Sequence, residues 1–257
     1  NKTLMKTILI TGGATGIGRA TVKKFIAEGW NVVFVDINEN MAMQLAHEID
    51  KPDNLLPIIC DTRNRADLIK AVKAAVEKFG SINSVFTNAG IHQNNTILNI
   101  TDADLHKIMD INVFGTIYTL QAVLPEIIRN GGGSVVINCS DQWFIGKPDS
   151  FAYGMTKGAL GQITRSLSID LGKHNIRVNA VCAGSIRTPL IDGAMQRFAD
   201  LNNTTLEEMV AIEDARYARG RMDQPEEVAN LVYFLASDQA SFCTGAHYAI
   251  DGGLIAY

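Results

Sequence analysis

The 257-residue sequence predicts an α/β fold: a doubly wound, seven-stranded parallel sheet with helices on both faces and a helical lid over one end. Three observations carry this expectation. Short β-branched runs alternate with longer amphipathic segments from one end of the chain to the other. Most of those runs are nearly continuous in Ile, Val and other apolar residues, as strands covered on both faces must be. Repeated strand–helix–strand units then require parallel strands joined by right-handed crossovers.

In chain order, the first strand is expected at 7–11 and its helix at 16–28, closed by Gly29. A second strand at 31–36 leads to a helix at 41–49, and a third at 55–61 to a helix at 65–79. The fourth strand, 84–88, precedes a long helical pattern at 102–129 whose start carries the capping pair Thr101-x-x-Asp104. A fifth strand at 134–140 and a sixth at 177–183 flank a helix at 151–174. Pro225 with Glu226 and Glu227 opens a helix at 225–236, and the seventh strand is expected at 246–251. Residues 189–223 break the rhythm: they are polar, charge-mixed and too long for a plain connection, so they read as a lid. No repeat or linker divides the chain, and residues 1–257 read as one domain, with 1–4 a remnant ahead of a start at Met5.

Composition excludes several classes of function. With 23 Lys+Arg against 27 Asp+Glu the net charge is -4, without the basic footprint that nucleic acid or an anionic membrane surface requires. Hydrophobic residues at 47% and charged residues at 19% exclude a disordered chain. The apolar run at 8–10 stops at Thr11-Gly12-Gly13, short of a signal-peptide core, and no run approaches the ~18 apolar residues of a membrane span. Cys60, Cys139, Cys182 and Cys243 form no CxxC pair and no zinc-spaced cluster, so no metal is expected, and free thiols suit a reducing cytoplasm.

Between the first strand and first helix lies Thr11-Gly12-Gly13-Ala14-Thr15-Gly16-Ile17-Gly18. Glycines at such a turn let the backbone approach a pyrophosphate, and free N–H groups at the helix start face its charge. The second strand ends in Asp36, 18 residues past Gly18, where a Rossmann-type dinucleotide fold places the acid that binds the adenosine ribose hydroxyls. That carboxylate would repel a 2′-phosphate, and neither Thr15 nor Ile37 offers a compensating base, so the expected cofactor is NAD rather than NADP. The direction of Arg19, nearby, cannot be read from the sequence.

Tyr153-Gly154-Met155-Thr156-Lys157 opens a helix, and a spacing of four puts Tyr and Lys on one face, one turn apart. Free Tyr has a pKa near 10, so a Tyr base working near pH 7 needs about 4 kcal/mol of preference for phenolate. A cation ~4 Å away in an effective dielectric of ~20 supplies about that much.

Taken together these motifs resemble the compact, single-domain branch of the short-chain dehydrogenase/reductase family, from about Thr7 to Gly253. The resemblance is carried by the 11–18 turn, Asp61, Asn88-Ala89-Gly90, Asn112 in Ile111-Asn112-Val113, Ser140 thirteen residues before Tyr153, Asn179, Gly184, Thr188, the 225–229 helix start and Asp251-Gly252-Gly253. It implies an oxidoreductase moving hydride between a secondary alcohol and NAD, with Tyr153 as general acid/base and Ser140 bonding the substrate oxygen as charge develops. Lys157 would assist Tyr153 and bind the nicotinamide ribose, and Asn112 would hold a water of the proton relay. The cofactor would be held by Gly12, Thr15, Gly16, Ile17, Gly18, Asp36, Ile37, Asp61, Thr62, Asn88, Ala89, Gly90, Tyr153, Lys157, Gly184, Ile186 and Thr188. The resemblance also implies a homotetramer packed through the 102–129 and 151–174 helices. One departure stands out: Ala183-Gly184 replaces the family's Pro-Gly after the sixth strand, restoring an N–H and freeing φ in the loop that faces the nicotinamide.

For the substrate, Asp141 and Gln142 beside Trp143, with His92 after the Asn88–Gly90 motif, suit a hydroxylated small molecule such as a sugar, polyol or cyclic diol. Met195, Phe198, Leu201, Met209 and Ile212 in the lid equally fit a hydroxysteroid or a 3-oxoacyl group. A protein of this fold that senses NAD without turnover is a further alternative.

Overall fold

A computed structural model describes residues 5–49 and 52–256; residues 1–4, expected above to be a remnant, lie outside the described residues. All seven strands are parallel and belong to one sheet. They are β1 (Thr7–Thr11), β2 (Asn31–Asp36), β3 (Leu55–Ile59), β4 (Ser84–Thr87), β5 (Gly133–Asn138), β6 (Ile176–Ala183) and β7 (His247–Ile250). Their spatial order is β3-β2-β1-β4-β5-β6-β7, so the chain reverses direction across the sheet between β1 and β4. Ligands of open α/β sheets bind at the carboxyl ends of strands at such a switch point.

The helices are α1 (Gly16–Ala27), α2 (Glu39–Glu48), α3 (Arg65–Phe79), α4 (Asp102–Met109), α5 (Gly115–Arg129), α6 (Phe151–Gly172), α7 (Pro189–Asn202), α8 (Leu206–Asp214) and α9 (Pro225–Ala236). The period of two along each strand sorts the core into two layers. Ile8, Ile10, Val32 and Phe34 point to one face, where Val22 and Phe25 of α1, Leu45 of α2, and Val228, Val232 and Leu235 of α9 cover them. Leu9, Val33, Val85 and Val135 point to the other, against Val72 of α3, Leu120, Val123 and Ile127 of α5, and Leu160 of α6. The seven-strand doubly wound expectation is met, and the polar 189–223 segment is indeed helical, forming α7 and α8.

The departures lie at strand ends and within one long helix. Strands β3, β4 and β5 stop at Ile59, Thr87 and Asn138, one or two residues before the expected ends. The residues shed from the ladder include Asp61, Asn88 and Ser140, whose side chains take partners beyond the sheet edge: Arg63, the Gly12 carbonyl and Asp141. The 102–129 helix is one continuous rod broken by a π turn at Asp110–Phe114. Such turns concentrate at functional sites, and this one carries Asn112. By length and composition this rod could cross a membrane; Val123 and Ile127 are instead fully enclosed against the sheet, as in a core helix.

Candidate active site

The turn after β1 is shaped by contact rather than by flexibility alone. A Cβ on Gly18 would lie 1.9 Å from the Gly12 carbonyl oxygen, and Gly12 itself has φ +63°. A side chain at either position would prise the turn from the start of α1. Asn88 completes the cradle: its Nδ2 donates to the carbonyls of Thr11 (3.1 Å) and Gly12 (3.0 Å). The Thr11 hydroxyl oxygen accepts from the N–H groups of Asn88 (2.9 Å) and Ala89 (3.0 Å). Backbone and glycines therefore approach one another with no room for side chains, which fits the close approach of a dinucleotide pyrophosphate.

Asp36, half-buried at the end of β2, accepts from the N–H of Ala14 through Oδ2 and of Asn38 through Oδ1, both at 2.9 Å. It thus braces the glycine turn and keeps lone pairs directed outward. Ile37 beside it is 70% exposed, without charge. The structure also answers which way Arg19 points: its guanidinium pairs with Glu48 at the end of α2, as does Lys23. Those cations hold the Glu48 carboxyl down at about 2, below its usual range.

Asp61 is chelated by Arg63, with Nε at 3.0 and 2.9 Å from its two oxygens. This pairing lowers its pKa. Thr62 is buried against Gly115 at the start of α5. Gly90 sits against Asn112, a Cβ there falling 3.2 Å from Oδ1. On the other rim, Thr188 caps α7 by accepting from the Ile191 N–H (3.3 Å), and its methyl lies 3.7 Å from where a Gly16 Cβ would be. The loop after β6 therefore closes over the glycine turn. Ile186 is buried in that loop, while Ile17 packs into the core below the turn.

The start of α6 carries Tyr153 and Lys157. Asn95 seats it, its Oδ1 accepting from the Ala152 N–H (3.0 Å) and its carbonyl from the Phe151 N–H (3.1 Å). Lys157, only 5% exposed, donates from Nζ to the Asn138 carbonyl (2.7 Å) and lies 5.3 Å from the centre of the Tyr153 ring. Across the ring, His92 packs edge-on at 4.8 Å and shares a 3.2 Å hydrogen bond with the Ser150 hydroxyl. Desolvation of its inner edge and, after that, the charge of Lys147 hold His92 below its usual pKa, so it is neutral at pH 7.

Asn112 is 1% exposed, and its side chain is fully engaged: Oδ1 accepts from the Ile91 N–H (2.8 Å), and Nδ2 donates to the Ile91 carbonyl (3.0 Å) and the Thr156 hydroxyl (3.1 Å). It ties α6 to the Asn88–Ile91 loop.

Ser140 and Asp141 form a buried pair, 5% and 1% exposed. A carboxylate can only accept, so the Ser140 hydroxyl donates to Asp141 Oδ1 (2.8 Å); Ser140 Oγ accepts from the Gln142 N–H (3.2 Å). Lys147 closes the other side of the carboxylate at 2.6 Å. Asp141 is therefore a holder of Ser140 and Lys147 rather than an open group facing a substrate. Trp143 likewise turns away: it stacks on His247 (4.8 Å) and packs against Gly161 of α6. Of the residues expected to meet substrate, His92 stands on the rim beside Tyr153 and Gln142 abuts Gly154. Among the lid residues, Phe198 and Ile212 are exposed, and the Leu201 side chain lies outside the described part.

Lys147, Asn95, Asn138 and Thr156 are structural contributors to the site that sequence reasoning did not assign. Their signal is weak, because each acts through a backbone group or a contact distant in sequence. Among the described residues, no group of three His, Cys, Asp or Glu could hold a metal ion.

A family model described as enoyl-(acyl carrier protein) reductase matches residues 12–255. The oxidoreductase UcpA of Escherichia coli K12 is 35% identical over 251 residues, covering 96% of this chain and 94% of that protein. A short chain dehydrogenase family protein from Francisella tularensis subsp. tularensis SCHU S4 superposes with TM-score 0.88 at 35% identity, over 98% of this chain and 100% of that one. The ligand-free aldohexose dehydrogenase of Thermoplasma acidophilum superposes with TM-score 0.90 at 30% identity, over 98% of this chain and 95% of that one.

Proposed function

Since the chain belongs to the short-chain dehydrogenase/reductase family, oxidoreductases that bind a nicotinamide cofactor, we propose that it interconverts a secondary alcohol and a ketone with NAD, acting on a hydroxylated small molecule. The observation that carries the reading is that Tyr153 and Lys157 share one face of α6, with the Lys157 ammonium 5.3 Å from the Tyr153 ring and bonded to the Asn138 carbonyl two residues before the buried Ser140. When bound, the cofactor accepts or returns the hydride.

The protein's own groups handle position and protons. Tyr153 exchanges the proton of the substrate hydroxyl, and Lys157, held by the Asn138 carbonyl, keeps a positive charge where phenolate forms. At rest the Ser140 hydroxyl donates to Asp141 and accepts from the Gln142 N–H, and the single hydroxyl proton of the alcohol is left for Tyr153. As charge grows on the substrate oxygen, the Ser140 proton turns towards it, and Lys147 still neutralises the Asp141 carboxylate left behind.

NAD over NADP is supported by Asp36, a carboxylate at the end of β2 beside the glycine turn where it would meet the ribose hydroxyls, and by Arg19, paired with Glu48. A hydroxylated substrate is supported by the polar rim of His92, Gln142 and Lys147 and by the likeness to an aldohexose dehydrogenase. A second reading, an acyl-group reductase, draws on the description of the matching family model and on Phe198 and Ile212, exposed on α7 and α8. A panel of sugars, polyols, cyclic diols, hydroxysteroids and 3-hydroxyacyl thioesters with NAD separates the two. NADH formed from a polyhydroxy compound supports the first, and activity confined to the thioesters supports the second. Buried Cys60, Cys139 and Cys182 with no disulfide among the described cysteines agree with a reducing cytoplasm as the proposed compartment.

A further inference from the structure

Ala183 stands where the family's proline would stiffen the chain after β6, yet the corner that follows is held at several points. The Gly184 N–H donates to the Ile250 carbonyl (3.2 Å). The Ser185 N–H donates to the Tyr217 hydroxyl oxygen (2.9 Å), and the Ser185 hydroxyl donates to Glu213 Oε1 (2.7 Å). Tyr217 donates its own proton to that same oxygen (3.0 Å), closing a three-membered network.

The network is enclosed. Tyr217 is 3% exposed, and its ring occupies the space a side chain at position 184 would need: a Cβ there would fall 2.9 Å from Cε1. Burial pushes the Tyr217 hydroxyl up to about 12, so it remains a donor at working pH. Burial also acts to raise Glu213, but the Ser185 hydroxyl, Arg216 and Tyr217 outweigh it and leave the carboxyl below its usual range. Glu213 lies in the last turn of α8, and Tyr217 in the turn just beyond. Two residues further along the held loop, the Arg187 N–H donates to the Asp223 carbonyl (2.8 Å), and Thr188 begins α7.

We propose that Tyr217 and Glu213 are positioning residues that fix the Gly184–Ser185 corner in place of a proline and tie it to α8, so that this helix and the loop bearing Ile186 and Thr188 shift as one body. The assignment rests on the reading of that loop as the nicotinamide side of the cofactor site. It gives α7 and α8 a mechanical route to the cofactor: α8 cannot swing away without freeing the Ser185 hydroxyl and N–H.

The test uses the full chain and three readouts: hydrogen exchange over residues 176–190, the NADH dissociation constant by fluorescence, and Tm. Tyr217→Phe keeps the ring on Gly184 and removes only the hydroxyl. Exchange at Ser185 is expected to accelerate at least tenfold, with NADH binding weakened about tenfold, while core-strand exchange and Tm stay near wild type. Glu213→Gln is expected to move both readouts the same way but less, and the double variant to be less than additive. Glu207→Gln, exposed on the same helix, should change neither. Unchanged exchange at Ser185 in a folded Tyr217→Phe protein overturns the proposal, as does acceleration spread evenly through the core. If the wild-type chain binds no NADH, the functional reading fails, and exchange at Ser185 alone decides whether the corner is held in this way.

Discussion

At the scale of single residues, the site depends on how few groups are left with free bonding capacity. Tyr153 is one: His92 and Lys157 flank its ring, and among the described residues no group bonds its hydroxyl. Tyr153→Phe is expected to lower kcat by 10²-fold or more with NADH binding nearly unchanged, measured by turnover beside fluorescence titration. Asp141 acts one step back. Asp141→Asn turns an obligate acceptor into a group that can donate to Ser140, and it leaves Lys147 without its counter-charge. A fall in kcat/KM of roughly 10–100-fold is expected, again with NADH affinity retained. Asp36→Ala removes a carboxylate that also braces Ala14, so NAD should bind roughly 10–100-fold more weakly and the gap to NADP should narrow. These residues were legible in the sequence because each belongs to a short spaced pattern. The true roles of Asp141 and Trp143 were not, because burial by Lys147 and by α6 is decided by contacts that no local pattern encodes.

At the scale of elements, the continuously apolar strands and capped helices could be read to within a few residues, and α3 and α9 begin and end where their caps and patterns put them. The errors share a cause. Strand ends were extended into Asp61, Asn88 and Ser140 because apolar patterning does not reveal where the ladder stops and side-chain bonding takes over. The π turn in the 102–129 rod was invisible because it follows from Asn112 engaging Ile91, a contact across the chain. The junction before α9 carries its own expected outcome. Burial, and next the neighbouring Glu227, push the Asp223 carboxyl up to about 7. Glu227, paired with Arg221 at 2.6 Å, is driven below its usual range. A folded pKa above the unfolded one means that the native state holds the extra proton between about pH 4 and 7. Stability from Asp223 is therefore present at the acid side and lost as pH rises through about 7. Thermal melts across pH 5–8 should show that decline in wild type and a flatter profile in Asp223→Asn.

At the scale of the whole molecule, the strand ends of one sheet carry Asp36, Asp61, Asn88 and Ser140 on either side of the β1/β4 reversal, and α6 and the π turn add Tyr153, Lys157 and Asn112. A ligand that bridges β2 and β6 must then stabilise the entire fold. At a hundredfold excess over its dissociation constant, NADH should add about 2.7 kcal/mol, or roughly 5–10 °C in Tm for a domain of this size, and NADPH distinctly less. The π turn ahead of α5 and the outer face of α6 leave Phe114, Phe151, Met155 and Ile169 exposed, Ile169 to 80%. We propose that these apolar groups pack between copies of the chain in the homotetramer that the resemblance implies; light scattering should then return four times the 27.9 kDa chain mass, and a smaller mass would contradict it. The measurement nearest the central claim is NADH formation from NAD across the alcohol panel, wild type beside Tyr153→Phe and with NADP as control. NADH appearing with a hydroxylated substrate in wild type, and lost in the variant, is the expected result. Equal rates in both proteins would contradict the account.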